Sequence, residues 1–282
     1  MNKQVEKKKL NHRSKIPVLG FGTWKLKGTE CQNAVFNALK VGYRHIDTAD
    51  AYKNHQEVGK AINGSGIKRD EIFLTSKVWR TSLNPEDLKK DTKRFLDELD
   101  TDYLDLLLVH WPNDDVPISD TIGAMKELKT EGLVNHIGVS NFTALQLKIL
   151  LNSSQHILGK DISIANHQFE FHPTLQQKEL VKFSHQNDIS VTAYSPLGHG
   201  QDLEIKKIKD IAGARGCTEA QVILAWIRQK GIIAIPRSSD PKHIQENFES
   251  LNVELSDEDL GKIDTLDNNN RIVNPSFSPF GK

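Results

Sequence analysis

Four side chains of different chemistry, Asp47, Tyr52, Lys77 and His110, each fall at or a few residues beyond the carboxyl end of one of a series of short apolar, often β-branched runs. A phenol has a reference pKa of about 10 and is a reluctant proton donor near neutrality unless something favours its phenolate. A neighbouring ammonium does so. An opposite charge within a few ångströms shifts a pKa by about 1 to 3 units, so Lys77 beside Tyr52 is expected to lower the phenol. Asp47 would keep that ammonium charged and oriented, and His110 could donate from a ring nitrogen to a substrate oxygen as negative charge develops there. The set suits proton transfer onto a carbonyl oxygen, with the electrons coming from a cofactor. Singly, each residue has an ordinary reading: Asp47 a helix cap, Lys77 a solvated charge, His110 a satisfied core histidine, Tyr52 a packed ring with its hydroxyl in water. Only their convergence would make them chemical.

Convergence requires elements that deliver distant residues to one place. Apolar runs recur at residues 18–22, 43–47, 72–78, 104–110, 134–140, 162–169, 189–194 and 232–235. Between them, helical periodicity covers 30–40, 85–99 after an Asn84-Pro85 start signal, 121–129 before Gly132, 144–151, 176–186, 219–228 and 241–248. Each parallel strand pair needs a long crossover that a helix fills, so this alternation predicts a parallel sheet closed into a (β/α)8 TIM barrel. Such a barrel builds its active site at the carboxyl ends of its strands, where the four residues fall. An open doubly wound sheet would carry a Gly-rich fingerprint after its first strand, and Gly20-Phe21-Gly22 lacks the third glycine. One domain is expected over residues 1–282, with 1–16 an arm or hairpin anchored by Leu10 and Ile16, and 271–282 a short tail. The run Lys7-Lys8-Lys9 reads as a solvated part of that arm.

Lys and Arg total 37 and Asp and Glu total 37, so no net field recruits nucleic acid or an anionic membrane, and the expected partner is a small molecule. The longest apolar run, 104–109, contains Asp105 and is far short of the ~20 residues that span a bilayer. Cys31 and Cys217 lack metal-ligand spacing, and MNKQVEKKKL leads into polar sequence instead of an apolar signal core, so a reducing cytoplasm is expected.

Gly42-Tyr43-Arg44-His45-Ile46-Asp47-Thr48-Ala49 with Tyr52 and Asn54, then Lys77, then His110-Trp111-Pro112, resemble the signature of the aldo-keto reductases. The resemblance runs from residue 17 to about 273 through Gly138-Val139-Ser140-Asn141-Phe142, Gln168 with Glu170 and His172-Pro173, Ala193-Tyr194-Ser195-Pro196-Leu197-Gly198, and Ile235-Pro236-Arg237-Ser238 followed by Glu246-Asn247. A short loop after His110 and a brief tail after Arg271 resemble the bacterial 2,5-diketogluconate and methylglyoxal reductase group. The resemblance implies a monomeric reductase of small carbonyl compounds using NADPH in preference to NADH. It implies that Ser140, Asn141 and Gln168 hold the nicotinamide carboxamide and that Tyr194 stacks on its ring. Arg237 and Ser238 resemble a clamp for a 2′-phosphate, and a guanidinium fork and a hydroxyl can both bond phosphate oxygens. Ser195, Leu197, His243 and Asn247 are carried over as further cofactor contacts.

The chain departs from the family pattern in three places. His243 stands where an Arg is frequent, His167 replaces an Asn before Gln168, and residues 197–202 are too short for a belt over the pyrophosphate, so an open loop is expected. Trp24, Trp79 and Trp111 follow strand ends and are expected to wall a substrate pocket together with His110. Trp226, inside a helical apolar pattern, reads as core, and His45 and His172 as structural. Two competing functions share some of these residues: a barrel enzyme with Lys77 as Schiff-base nucleophile, and a non-catalytic NADP(H)-binding regulatory subunit.

Overall fold

In the computed structural model of the chain, which describes residues 6–9, 15–158 and 163–281, the N-terminal segment is a hairpin. Strand β1 (Lys7–Lys9) runs antiparallel to β2 (Lys15–Pro17), with Lys8 opposite Ile16. The expected anchor Leu10 lies outside the described residues, as does position 162, where the sixth apolar run begins. Each of the eight runs carries a strand, β8 ending one residue past its run: β3 (Phe21–Gly22), β4 (His45–Asp47), β5 (Phe73–Val78), β6 (Leu104–Val109), β7 (Val134–Ser140), β8 (Ile164–Glu170), β9 (Ser190–Tyr194) and β10 (Ile233–Ala234). Among the described residues they form one eight-stranded sheet in which every neighbour is parallel. A bridge from Leu19 to Ala234, with Gly20 N donating to Ala234 O at 2.8 Å and Ala234 N to Val18 O at 3.1 Å, joins the last strand to the first. The sheet is a closed (β/α)8 barrel.

The helices are α1 (Gly28–Val41), α2 (His55–Gly64), α3 (Pro85–Leu99), α4 (Ile118–Thr130), α5 (Ala144–Leu158), α6 (Lys178–Gln186), α7 (Lys206–Arg215), α8 (Glu219–Gln229), α9 (Pro241–Glu249) and α10 (Asp257–Asp264). The start signal at α3 works as its chemistry requires: the Asn84 side chain accepts from Asp87 N while Pro85 fills a position that needs no donor. Three helices, α2, α7 and α10, were not distinguished in the sequence. Their buried apolar sets are small, Val58, Ala61 and Ile62 in α2 and Ile208, Ile211 and Ala212 in α7, so their periodicity is faint.

Two cores result. The larger lies between strands and helices and includes the fully buried Trp226, stacked on Phe171 at 5.2 Å. The smaller joins Ile16 of the hairpin to Phe73, Leu106, Leu108, Ala165 and Ile233. The hairpin therefore contributes to this smaller core. Gly138 shows how tight the wall is, since a Cβ there would sit 2.4 Å from Asn166 O and 2.7 Å from a Leu108 methyl. No described helix is long and apolar enough to cross a membrane.

Candidate active site

Asp47 ends β4, Lys77 lies in β5, and His110 follows β6, its backbone N donating to Val78 O at 3.0 Å. Tyr52 closes a 3-10 turn, Asp50–Tyr52, in the loop after β4. Parallel register sets these ends side by side, and the four side chains meet. Lys77 Nζ donates to Asp47 Oδ1, to Thr48 O at 3.0 Å and to the Tyr52 hydroxyl at 3.2 Å. The Tyr52 and His110 rings meet edge to face at 5.6 Å. The other Asp47 oxygen accepts from Gln168 Nε2 at 2.8 Å, so a residue of β8 fixes the carboxylate that fixes the ammonium.

Asp47 and Lys77 are both buried, at 1% and 0% exposure, and burial governs the electrostatics. It pushes the Lys77 ammonium below its usual value, against the opposing pull of Asp47 and its hydrogen bond. Burial, and then the Asp47 charge, drive the Tyr52 phenol well above its ordinary value. The sequence-based expectation that Lys77 lowers the phenol is thus reversed: removal from water and a nearby carboxylate both oppose a phenolate. The result is a neutral hydroxyl that already accepts a hydrogen bond from an ammonium. Burial first and Lys77 second push His110 well below the usual histidine range, leaving a neutral imidazole whose Nδ1 is buried without a partner.

These groups open onto a cavity of about 780 Å³. Asp47, Tyr52 and His110 line it with Trp24, Trp79 and Trp111, as the sequence predicts for the aromatic wall. Asn141, Gln168, Tyr194, Ser195, Leu197 and Arg237 line it too. Tyr194 donates to Asn141 Oδ1 at 2.7 Å, and Asn141 Nδ2 donates to His110 O at 2.9 Å and Ser140 Oγ at 3.0 Å, which puts Ser140 just behind the wall. Both Asn141 (φ 63°) and Ser195 (φ 48°) leave their strands in the left-handed region, a strain that non-glycine residues bear where surrounding structure demands it. Ser238, His243 and Asn247 do not join the wall. Ser238 Oγ accepts from Asp240 N at 3.1 Å, His243 is exposed 3.8 Å from Asp240, and Asn247 is buried in α9.

Two parts of the wall were missed or misjudged. The segment after β9 is short, but it is not open at its tip: residues Gly198–Glu204 form two 3-10 turns broken by a kink at His199 and Gly200, and the His199 ring stacks on Trp24 at 5.5 Å while its Nε2 meets Ser195 Oγ at 3.0 Å. The C-terminal tail, read as merely brief, supplies Ile272, Val273, Asn274, Pro275 and Phe277. Phe277 meets Trp79 at 5.7 Å and Trp111 at 5.5 Å, both edge to face. An aromatic in a terminal segment beside Asn-Pro was the available signal.

A closed barrel with an Asp–Lys–Tyr chain and a neutral imidazole at its mouth defines a class, and the comparisons agree. The chain belongs to the aldo/keto reductase family, whose sequence model matches residues 18–268. It is 40% identical over 262 residues to the methylglyoxal reductase DkgB of Yersinia pestis, covering 92% of this chain and 96% of that protein. It is likewise 40% identical over 265 residues to the glyoxal reductase of Bacillus subtilis, with 94% of each covered. Among solved structures, an aldo/keto reductase from Brucella melitensis superposes with a TM-score of 0.88 at 43% identity, covering 93% of this chain and 98% of that one.

Proposed function

We propose that the protein reduces small aldehydes, ketoaldehydes or keto sugars to alcohols with NADPH, Tyr52 being the general acid. The observation that carries this reading is the 3.2 Å hydrogen bond from Lys77 Nζ to the Tyr52 hydroxyl beside a cavity that His110 also lines. The residues fit a nicotinamide dinucleotide. Asn141 and Gln168 bring amides and Tyr194 a ring, and Arg237 brings an exposed guanidinium suited to a phosphate at the rim. The methylglyoxal and glyoxal reductase relatives favour small carbonyl substrates.

When bound, the reduced cofactor supplies a hydride to the carbonyl carbon. Tyr52 gives its proton to the carbonyl oxygen, and Lys77, held by Asp47, stabilises the phenolate that remains. An unpartnered buried nitrogen is tolerated better as an acceptor than as an N–H, so the neutral His110 ring carries its proton on Nε2 and can donate to the substrate oxygen. Trp24, Trp79 and Trp111 exclude water around the reacting carbon. Lys77 serves poorly as a Schiff-base nucleophile, because three acceptors surround an amine that the task needs neutral and free. Ser140, Ser195, Leu197, Ser238, His243 and Asn247 complete the proposed cofactor contacts in a one-domain monomer. The free thiols of Cys31 and Cys217 suit a reducing cytoplasm.

The test is a panel of carbonyls assayed by loss of the reduced-nicotinamide absorbance, with NADPH and NADH in parallel. Oxidation of NADPH by methylglyoxal or a small aldehyde, faster than of NADH, is expected. A protein that binds NADPH yet oxidises it with no carbonyl would be a binding subunit and not a reductase.

A further inference from the structure

Behind the cavity lies a second buried cluster of charges that the proposed chemistry does not use. Glu170, at the end of β8, His172 and Asp202 are each at most 1% exposed. His172 bridges the carboxylates, Nε2 to Glu170 Oε1 at 3.2 Å and Nδ1 to Asp202 Oδ2 at 2.9 Å. Thr174 Oγ1 donates to the second Asp202 oxygen at 2.9 Å. The two oxygens of Glu170 accept from consecutive backbone amides of the tail, Ile272 N at 2.8 Å and Val273 N at 3.0 Å. Arg271 stands 3.8 Å from the same carboxylate and lays its guanidinium on Phe280 at 3.9 Å.

Burying three ionisable groups is costly unless they are mutually paired, so an arrangement this complete constrains whatever it holds. What it holds is two walls of the cavity. Glu170 grips the tail four residues before Phe277, and Asp202 belongs to the kinked 198–204 segment that carries His199. Neither side chain touches the Asp47–Lys77–Tyr52 chain, although Gln168, two residues before Glu170 on the same strand, does.

We infer that Glu170 is a positioning residue for substrate selection: by holding the amides of Ile272 and Val273 it sets Phe277 against Trp79 and Trp111, and so fixes how well an aromatic carbonyl compound is received. This rests on the reading of the cavity as a carbonyl reductase site. Methylglyoxal, being small, does not need the Phe277 face; an aromatic aldehyde does. In Glu170→Gln, one carboxylate oxygen becomes an NH2 that cannot accept from an amide, and the tail loses one of its two anchors.

The experiment is a double-mutant cycle of Glu170→Gln and Phe277→Ala, assayed with 4-nitrobenzaldehyde and with methylglyoxal, beside hydrogen exchange of the tail amides in the wild type. For Glu170→Gln, KM for 4-nitrobenzaldehyde should rise roughly 3- to 10-fold, in line with loss of an aromatic contact, while kcat with methylglyoxal stays within about twofold. The double variant should show no further rise over Phe277→Ala, because both changes remove the same wall. Independent, multiplying effects, or an unchanged KM for the aromatic substrate, would overturn the inference. The amides of 272 and 273 should exchange slowly in the wild type, and fast exchange there overturns the anchor even if Glu170→Gln fails to fold. A wild type that turns over neither aldehyde would sink the reductase reading, while exchange at those amides still decides whether Glu170 holds the tail.

Discussion

Adjacent residues of β5 build two hydrogen-bonded chains that look alike and are not. Lys77 points to the barrel mouth and joins Asp47 and Tyr52. Ser76 points the other way, where its hydroxyl meets His55 Nε2 at 2.8 Å and His55 Nδ1 meets Glu98 Oε2 at 2.9 Å. On paper the second is a serine–histidine–carboxylate series, the order of a nucleophilic triad. Yet Ser76 is fully buried between β5 and α2 and does not line the cavity, and Glu98 is tied further to Arg94 at 2.9 Å. The hydrogen bonds from His55 and Arg94 hold the Glu98 carboxyl down at about 2 even though burial opposes them. The difference is access. The Ser76 chain is buried at its serine and tied to Arg94 at its carboxylate, whereas the Lys77 chain ends at a phenol beside open space. Hydrogen-bond geometry alone does not make a site; a group left for the ligand does.

The comparison can be broken from either side. Lys77→Met should cost the most, roughly 10²- to 10⁴-fold in turnover, because it removes the charge that stabilises the Tyr52 phenolate. Steady-state assays beside a thermal-unfolding control would check that the loss is chemical. Acid should strain both faces of the barrel wall alike. Burial, joined at His45 by the Lys77 charge, keeps His45 inside the wall and His167 outside it neutral, each with a pKa of about 3. Unfolded histidines take up protons near 6.5, so the stability these residues lend is present above that pH and is lost as pH falls from there towards 3. By pH 5 the loss should be about 2 kcal/mol for each, measurable as a falling urea midpoint that His167→Gln makes less steep. Ser76→Ala should be the mildest. It leaves His55 Nε2 unpaired and should cost about 1 to 3 kcal/mol of stability by urea unfolding, with turnover within about twofold.

The strands were legible because each apolar run is short and separated from the next by helical periodicity, and closure into a barrel fixes where their ends fall. That made Asp47, Lys77 and His110 legible as a group, and the motif around Tyr52 completed it. The sign of the Tyr52 shift was not legible, since it depends on how much protein surrounds the half-buried phenol and how near the Asp47 carboxylate comes. The tail was illegible for another reason: Glu170 and Ile272 are separated by 102 positions, and nothing local in either predicts the hydrogen bond between them. Ser238, His243 and Asn247 stand outside the cavity wall, so their proposed cofactor contacts rest on the motif alone.

The most direct measurement is the single-turnover rate of hydride transfer from NADPH to methylglyoxal in the wild type, Tyr52→Phe and Ser76→Ala, followed by stopped flow with cofactor binding titrated separately. Tyr52→Phe should fall by roughly 10²-fold or more with NADPH affinity retained, while Ser76→Ala keeps pace with the wild type. A phenylalanine variant that transfers hydride at the wild-type rate would contradict the assignment of Tyr52 as the proton donor.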